Sequence, residues 1–188
     1  MPKYFAALTI VLMFGMVLTR VLMLKKRGIE AMNFGRIDKT DFLIPPVAFF
    51  YFYLVFAHTF NLPTVSTQEF FHSEIIAWIG VFSCVAGLAL LLWSLVSFGK
   101  SFRVGIDMQR PDELITTGIF EFSRNPIYTA FALILLGQFL IFPNWIILLY
   151  TGAGTWLFHR QVLREEDYLK KRYGKEYGEY SNRVRRYL

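Results

Sequence analysis

The 188 residues are 55% apolar and 18% aromatic but only 18% charged, against roughly 45–50% apolar in ordinary soluble domains. The apolar residues arrive in long uninterrupted blocks, which excludes a water-soluble fold and predicts one membrane-embedded domain spanning 1–188. The net charge of +6 flanks those blocks without any nucleic-acid motif, so no nucleic acid is expected as a partner. A single cysteine, Cys84, excludes a disulfide framework and a cysteine metal site.

The first block runs from about Tyr4 to Leu24 and meets Lys25, Lys26 and Arg27. It is long enough to span, and a basic stop in place of a small-residue cleavage site marks a retained helix. Arg20, near its end, is expected to snorkel toward the headgroups. The second block begins after Asp41, places Pro45 and Pro46 in its opening turn, and reaches about Phe60; proline is tolerated where first-turn amides have no helical acceptor. His58 has no second ligand a helical turn away, so it predicts no metal site. The third block, about Glu74 to Phe98, has Ser73 as its N-cap.

The fourth block runs from Pro126 to about Phe142 and the fifth from Asn144 or Trp145 to about His159, with Pro143-Asn144 as a tight turn that makes a helical hairpin. Fifteen residues at 1.5 Å each reach only about 22 Å, short of a roughly 30 Å hydrocarbon core. The fifth helix is therefore expected to continue past His159 as one rod. The prediction is an all-α membrane protein with about five transmembrane helices. Three of these fall in 1–98, the hairpin falls in 126–159, and a cytosolic helical tail follows.

Orientation follows from lysine and arginine. Residues 25–39 hold five, 99–125 hold four and 160–188 hold nine, whereas the connections 61–73 and 143–144 hold none. The positive-inside rule puts all three basic segments in the cytosol, with the N-terminus outside and the C-terminus inside.

Chemistry is then sought where cytosolic segments meet helix ends. Asn125-Pro126 reads as a helix start, with the Asn oxygen capping free amides. Arg124, just before it, sits near a partially positive helix end and needs an anionic partner, either a headgroup phosphate or a ligand carboxylate. In the run Glu165-Glu166-Asp167, Glu166 and Asp167 have Lys170 and Lys171 four residues on, the order of exposed helix pairs. Glu165 has Leu169 there, which leaves its carboxylate available to a ligand ammonium or ribose. Tyr173, Tyr177 and Tyr180 recur at spacings of four and three, so they share one helix face that serves either as a packing stripe or as a wall for a flat heterocycle.

The order Gly118-x-Phe-x-x-x-Arg124-Asn125-Pro126-x-Tyr128, a hairpin of two short spans, Glu165-Glu166-x-x-Leu169-x-x-x-Tyr173-Gly174-x-x-Tyr177-x-x-Tyr180 and Val184-Arg-Arg186 resembles the isoprenylcysteine carboxyl methyltransferase family. Related membrane phospholipid methyltransferases share this C-terminal half. The resemblance covers about residues 99–188. It implies an enzyme that takes S-adenosylmethionine at the cytosolic face, releases S-adenosylhomocysteine, and methylates a lipophilic acceptor arriving through the bilayer. That acceptor is a prenylcysteine-type carboxylate or a related small or lipid substrate. Membrane lipids are the implied partners, and no protein partner is implied.

Carried over by position, the resemblance assigns Arg124, Glu165 and Glu166 to the reaction site. It assigns Gly118, Arg124, Asn125, Pro126, Tyr128, Glu165, Glu166, Tyr177 and Tyr180 to the cofactor. Three departures stand out: Asn125 replaces a common histidine, Phe120 a common tyrosine, and Arg185 the proline of a Val-Pro-Arg ending. A carboxylate or thiolate acceptor needs no enzyme base, whereas a protonated amine would need Glu165 or Glu166. Arg183 or Arg186 would either position an anionic acceptor or bind phospholipid phosphates, the second being favoured. The alternatives are an aminophospholipid N-methyltransferase, an NADPH-dependent reductase of the sterol type, for which the chain is short, and a non-catalytic scaffold or transporter, which the absence of charge between Pro126 and Phe158 disfavours.

Overall fold

The computed structural model describes residues 1–26, 44–65, 68–99 and 114–187. The basic runs expected in 25–39 and 99–125 lie largely outside the described residues. Among the described residues the fold is all-helical: α1 (Pro2–Lys26), α2 (Ile44–Phe60), α3 (Glu74–Ser97), a 3-10 turn (Gly118–Glu121), α4 (Pro126–Ile141), α5 (Trp145–Tyr173) and α6 (Lys175–Arg183). Two of these, α1 and α3, are long and apolar enough to cross a membrane, and α2 and α4 are shorter apolar helices.

The helix ends follow from their capping residues. Ser73 caps α3 by accepting from the Ile76 amide at 3.4 Å. Asn144 caps α5 by accepting from the Ile146 and Ile147 amides at 3.1 and 3.0 Å, so a 29-residue helix starts directly after Pro143. At 1.5 Å per residue it is about 44 Å long, and it runs on past His159 as one rod, as expected. The expected tyrosine face does not survive intact. Gly174 takes φ 51°, a left-handed conformation that glycine adopts without penalty, and ends α5 so that Tyr173 lies on one helix and Tyr177 and Tyr180 on the next.

The bundle is held by a close seam between α3 and α4. A Cβ on Gly80 would stand 2.7 Å from the Gly137 carbonyl oxygen, and one on Gly87 2.9 Å from that of Ala130. Small residues bring the backbones together, the kind of packing by which helices associate in lipid. Ser83 Oγ donates to the Leu133 carbonyl at 2.8 Å across this seam. On its flank the buried Gln138 of α4 donates to the Ala6 carbonyl of α1 at 3.0 Å, and Thr59 of α2 to the Lys3 carbonyl at 3.0 Å. α5 lies along α4, with Thr151 donating to Leu135 at 3.2 Å and Phe131 and Phe158 5.6 Å apart. Within α5, Gly154 faces Leu135 and Gly152 faces open space.

Large apolar residues remain exposed on outward faces, among them Ile75, Phe82, Val96, Leu149 and Trp156. Apolar exposure on this scale is consistent with a membrane protein. Arg20 does not reach freely for headgroups: its guanidinium donates to the Gly99 carbonyl and ties α1 to the end of α3.

Candidate functional site

The candidate residues converge where the start of α4, the last third of α5 and the C-terminal segment meet. The 3-10 turn comes first. Gly118 has φ 68°, and a Cβ there would meet Ser97 Oγ at 2.6 Å; only glycine fits. The turn packs Ile119 and Phe120 against Tyr177 and Tyr180 in one buried cluster, and Tyr180 donates its hydroxyl to the Phe120 carbonyl at 2.8 Å. Burial pushes both tyrosine hydroxyls above their ordinary titration range. Of the two readings of these tyrosines, the packing stripe is therefore the one with visible partners.

The chain then passes through Ser123, which forms a lone parallel bridge to Arg185, and the Arg124 amide donates to the Arg185 carbonyl at 2.9 Å. Pro126 opens α4, as expected, but Asn125 does not cap it with its side chain. Its amide instead donates to Glu166 Oε1 at 3.0 Å and to the Arg186 carbonyl at 3.2 Å. A partly buried carboxylate offers an N–H a stronger acceptor than water.

Glu166 is the centre of this network. It is not an exposed helix partner of Lys170: its side chain is 10% exposed, and it faces Arg124 at 3.5 Å and Arg186 at 2.8 Å. Arg186 donates through Nε to Oε2 at 2.9 Å, and this hydrogen bond holds the guanidinium above its ordinary range. Arg186 is thus tethered within the protein, where sequence reading took it for a phosphate contact. Arg124 found its anion in Glu166, and its Nη1 also donates to Tyr177 Oη at 3.4 Å. Its Nε is buried without a partner among the described residues.

Glu165 faces elsewhere. Its Oε1 accepts from Tyr128 Oη at 2.5 Å and from Gln161 Nε2 at 3.0 Å. No cation contacts it among the described residues. Burial pushes its carboxyl above the ordinary carboxylate range, and the two donors pull part of the way back. Adjacent glutamates are thereby separated into a neutralised one that pins the tail and one with an unclaimed oxygen.

Arg124, Asn125, Glu166 and Tyr177 are joined in one network and Tyr128 with Glu165 in a second. Tyr180 joins through ring contact with Tyr177 at 6.1 Å. Gly118 and Pro126 shape the backbone, and the Gly118 amide donates to Glu121 Oε1 at 3.3 Å. Sequence reasoning missed Gln161, although it stands four residues before Glu165 on one helix face, and Tyr187, whose hydroxyl meets His159 Nδ1 at 2.8 Å. Among the described residues no three His, Cys, Asp or Glu side chains gather as a metal site.

A family model described as phospholipid methyltransferase matches residues 75–176, more than half of the chain. The chain belongs to the phospholipid methyltransferase family. Its similarity to isoprenylcysteine carboxyl methyltransferases, expected from the motif order, holds as well. Protein-S-isoprenylcysteine O-methyltransferase B of Arabidopsis thaliana is 29% identical over 113 residues, covering 57% of each chain. The Dictyostelium discoideum protein-S-isoprenylcysteine O-methyltransferase is 28% identical over 110 residues, 57% of this chain and 46% of the relative. That of Schizosaccharomyces pombe is 30% identical over 94 residues, 48% and 40% respectively. The chain spans about half the length of these curated relatives. No solved structure matches.

Proposed function

We propose that this family member is an integral membrane methyltransferase that uses S-adenosylmethionine at the cytosolic face to methylate a lipophilic acceptor, a prenylcysteine-type carboxylate. The observation that carries this reading is the pair of open groups at the junction. Among the described residues, Arg124 Nε is a buried donor without a partner, and one Glu165 carboxylate oxygen is claimed by no side chain. They offer opposite signs to the zwitterionic amino-acid end of such a cofactor, and a buried orphan donor costs about 1–3 kcal/mol until it is paired. The residues present therefore fit the group.

In this reading α1 to α5 are five spans with the N-terminus outside and the C-terminus in the cytosol. α4 and α5 form the hairpin, and the last third of α5 with α6 forms the cytosolic tail. Residues 1–188 are one domain whose second half carries the site. Cofactor candidates are Gly118, Arg124, Asn125, Pro126, Tyr128, Glu165, Glu166, Tyr177 and Tyr180. The bound cofactor supplies a methyl group on a sulfonium. This chain's own residues bind and align it: Arg124 takes the carboxylate, Glu165 faces the cationic end, and Tyr128 holds Glu165. Glu166 and Arg186 close the cytosolic side against water, which together with alignment supplies much of the rate in such a transfer.

The main reading takes the acceptor as already ionised, so no enzyme base is required. Glu165 favours one second reading, an aminophospholipid acceptor, because an unpaired carboxylate with a raised pKa is suited to take a proton from an ammonium. Radiolabelled methyl transfer into prenylated thiols and aminophospholipids separates the two.

Glu165→Gln tests the site itself. Because folding raises the Glu165 pKa, its charge costs stability at neutral pH, a cost that disappears as pH falls through the raised value. The isosteric amide should therefore leave the thermal midpoint unchanged or higher while abolishing the stabilisation produced by S-adenosylhomocysteine. Wild-type protein that responds to NADPH instead would replace the methyltransferase with a reductase.

A further inference from the structure

Gln161 has no role in the cofactor site assigned above, yet among the described residues it makes one of the two hydrogen bonds to the Glu165 carboxylate. We propose that Gln161 is a positioning residue: with Tyr128 it clamps Glu165 Oε1 so that Oε2 is held toward the cationic part of the bound cofactor. The inference rests on the proposed methyltransferase reading and adds to it a residue and a reason.

The geometry is asymmetric in a useful way. Tyr128 Oη reaches Oε1 from α4 at 2.5 Å, and Gln161 Nε2 reaches the same atom along α5 at 3.0 Å. Two donors arriving on one oxygen from different helices fix both the position and the rotation of a carboxylate, which otherwise turns freely about its last side-chain torsion. The other oxygen is left without a protein donor among the described residues. Neither donor carries charge, so a negative charge on the carboxylate is uncompensated until a cation arrives. An arginine or lysine at position 161 would instead neutralise it.

Position 161 suits this task. It lies four residues before Glu165, one turn away on the same face, and is half-buried, so water competes weakly for its amide. Phe158, one turn further along α5, packs against Tyr128 at 6.0 Å and Phe131 at 5.6 Å, which holds α5 against α4 and keeps both donors in register. Tyr128 is the titratable group facing Glu165 from α4. On α5 itself Glu166 is turned away toward Arg124 and Arg186.

The test is binding of S-adenosylhomocysteine to purified full-length protein by titration calorimetry between pH 5 and 8, with thermal unfolding in parallel. Gln161→Met keeps length and removes the donor. It should weaken binding about tenfold, the loss expected for one hydrogen bond to a charged group, and leave the unfolding midpoint within a few degrees. Losing a donor to the ionised form also raises the Glu165 pKa. The acid limb of the binding profile should therefore move to higher pH than in wild type, a displacement that a merely structural role would not produce. Gln161→Asn, which keeps the amide but draws it back by one methylene, should behave likewise and serves if the Met variant fails to fold. Wild-type binding together with unchanged affinity and an unchanged acid limb in the variants would overturn the clamp while sparing the methyltransferase reading. Absence of wild-type binding would remove the ground for both.

Discussion

Glu166→Ala is expected to release the C-terminal segment from α5 and to lower the thermal midpoint in detergent by about 6 °C or more. The reason is the number of groups this carboxylate holds. Asn125 at 3.0 Å, Arg124 at 3.5 Å and Arg186 at 2.8 Å all converge on it. Removing one partner of a buried ion pair costs roughly 3–5 kcal/mol because the remaining charge is left desolvated. Arg124, 13% exposed, suffers that penalty, whereas Arg186, 40% exposed, can recover water and suffers little. The total should therefore sit at the low end, and about 3 kcal/mol corresponds to 6 °C or more in a chain of this size. Freed from Glu166, the tail keeps the Arg124-to-Arg185 backbone bond, the Asn125-to-Arg186 carbonyl bond and the Tyr187-to-His159 contact but loses its charge-paired anchor. Trypsin should then cut after Arg183 or Arg185 much faster than in wild type. Wild-type cleavage rates and midpoint in Glu166→Ala would mean that the carboxylate does not hold the tail. Glu165→Gln provides the contrast: the neighbouring residue should lose ligand binding with no loss of stability.

The contrast also shows which properties a single sequence displays. Helix positions were legible because hydropathy, prolines and caps are local: Ser73 and Asn144 cap the helices they precede, and α5 had to be long because its apolar part was too short. That these residues gather at one junction was legible through motif order, but the split between Glu165 and Glu166 was not. Lys170 stands at helical spacing from Glu166 and suggested an exposed pair, whereas the actual partner, Arg186, lies 20 residues on and is brought back only by the break at Gly174. That break did carry a signal. A glycine after a basic last turn, Lys170 to Arg172, is a common helix stop, whereas the recurrence of Tyr173, Tyr177 and Tyr180 at spacings of four and three suggests a continuous helix. Asn125 misled for a different reason. Its backbone does precede a helix, but a side chain that can cap can equally well bind a carboxylate arriving from another helix.

The seam between α3 and α4 was invisible in the sequence, because a glycine inside an apolar block does not say which helix it faces. Gly137→Ala tests it. A Cβ at 137 would stand 2.5 Å from the Gly80 carbonyl oxygen, 2.6 Å from Cys84 Sγ and 2.9 Å from the Cys84 amide nitrogen. Two of these are backbone atoms that cannot rotate aside, so the helices must separate. Overpacking of this kind typically costs about 1–3 kcal/mol, which exceeds the roughly 1 kcal/mol that alanine gains over glycine in a helix. Gly152→Ala, with nothing within 4 Å, should keep that gain and raise stability slightly. Gly154→Ala, which meets only the flexible end of Leu135 at 2.7 Å, should fall between them. The consequence reaches the site, because α4 begins at Pro126 and carries Tyr128 two residues later. A displaced α4 draws Tyr128 away from Glu165, so Gly137→Ala should weaken binding of S-adenosylhomocysteine as well as stability, although it touches no ligand. If the three variants were equally stable, the close approach of α3 and α4 could not be what holds Tyr128 against Glu165.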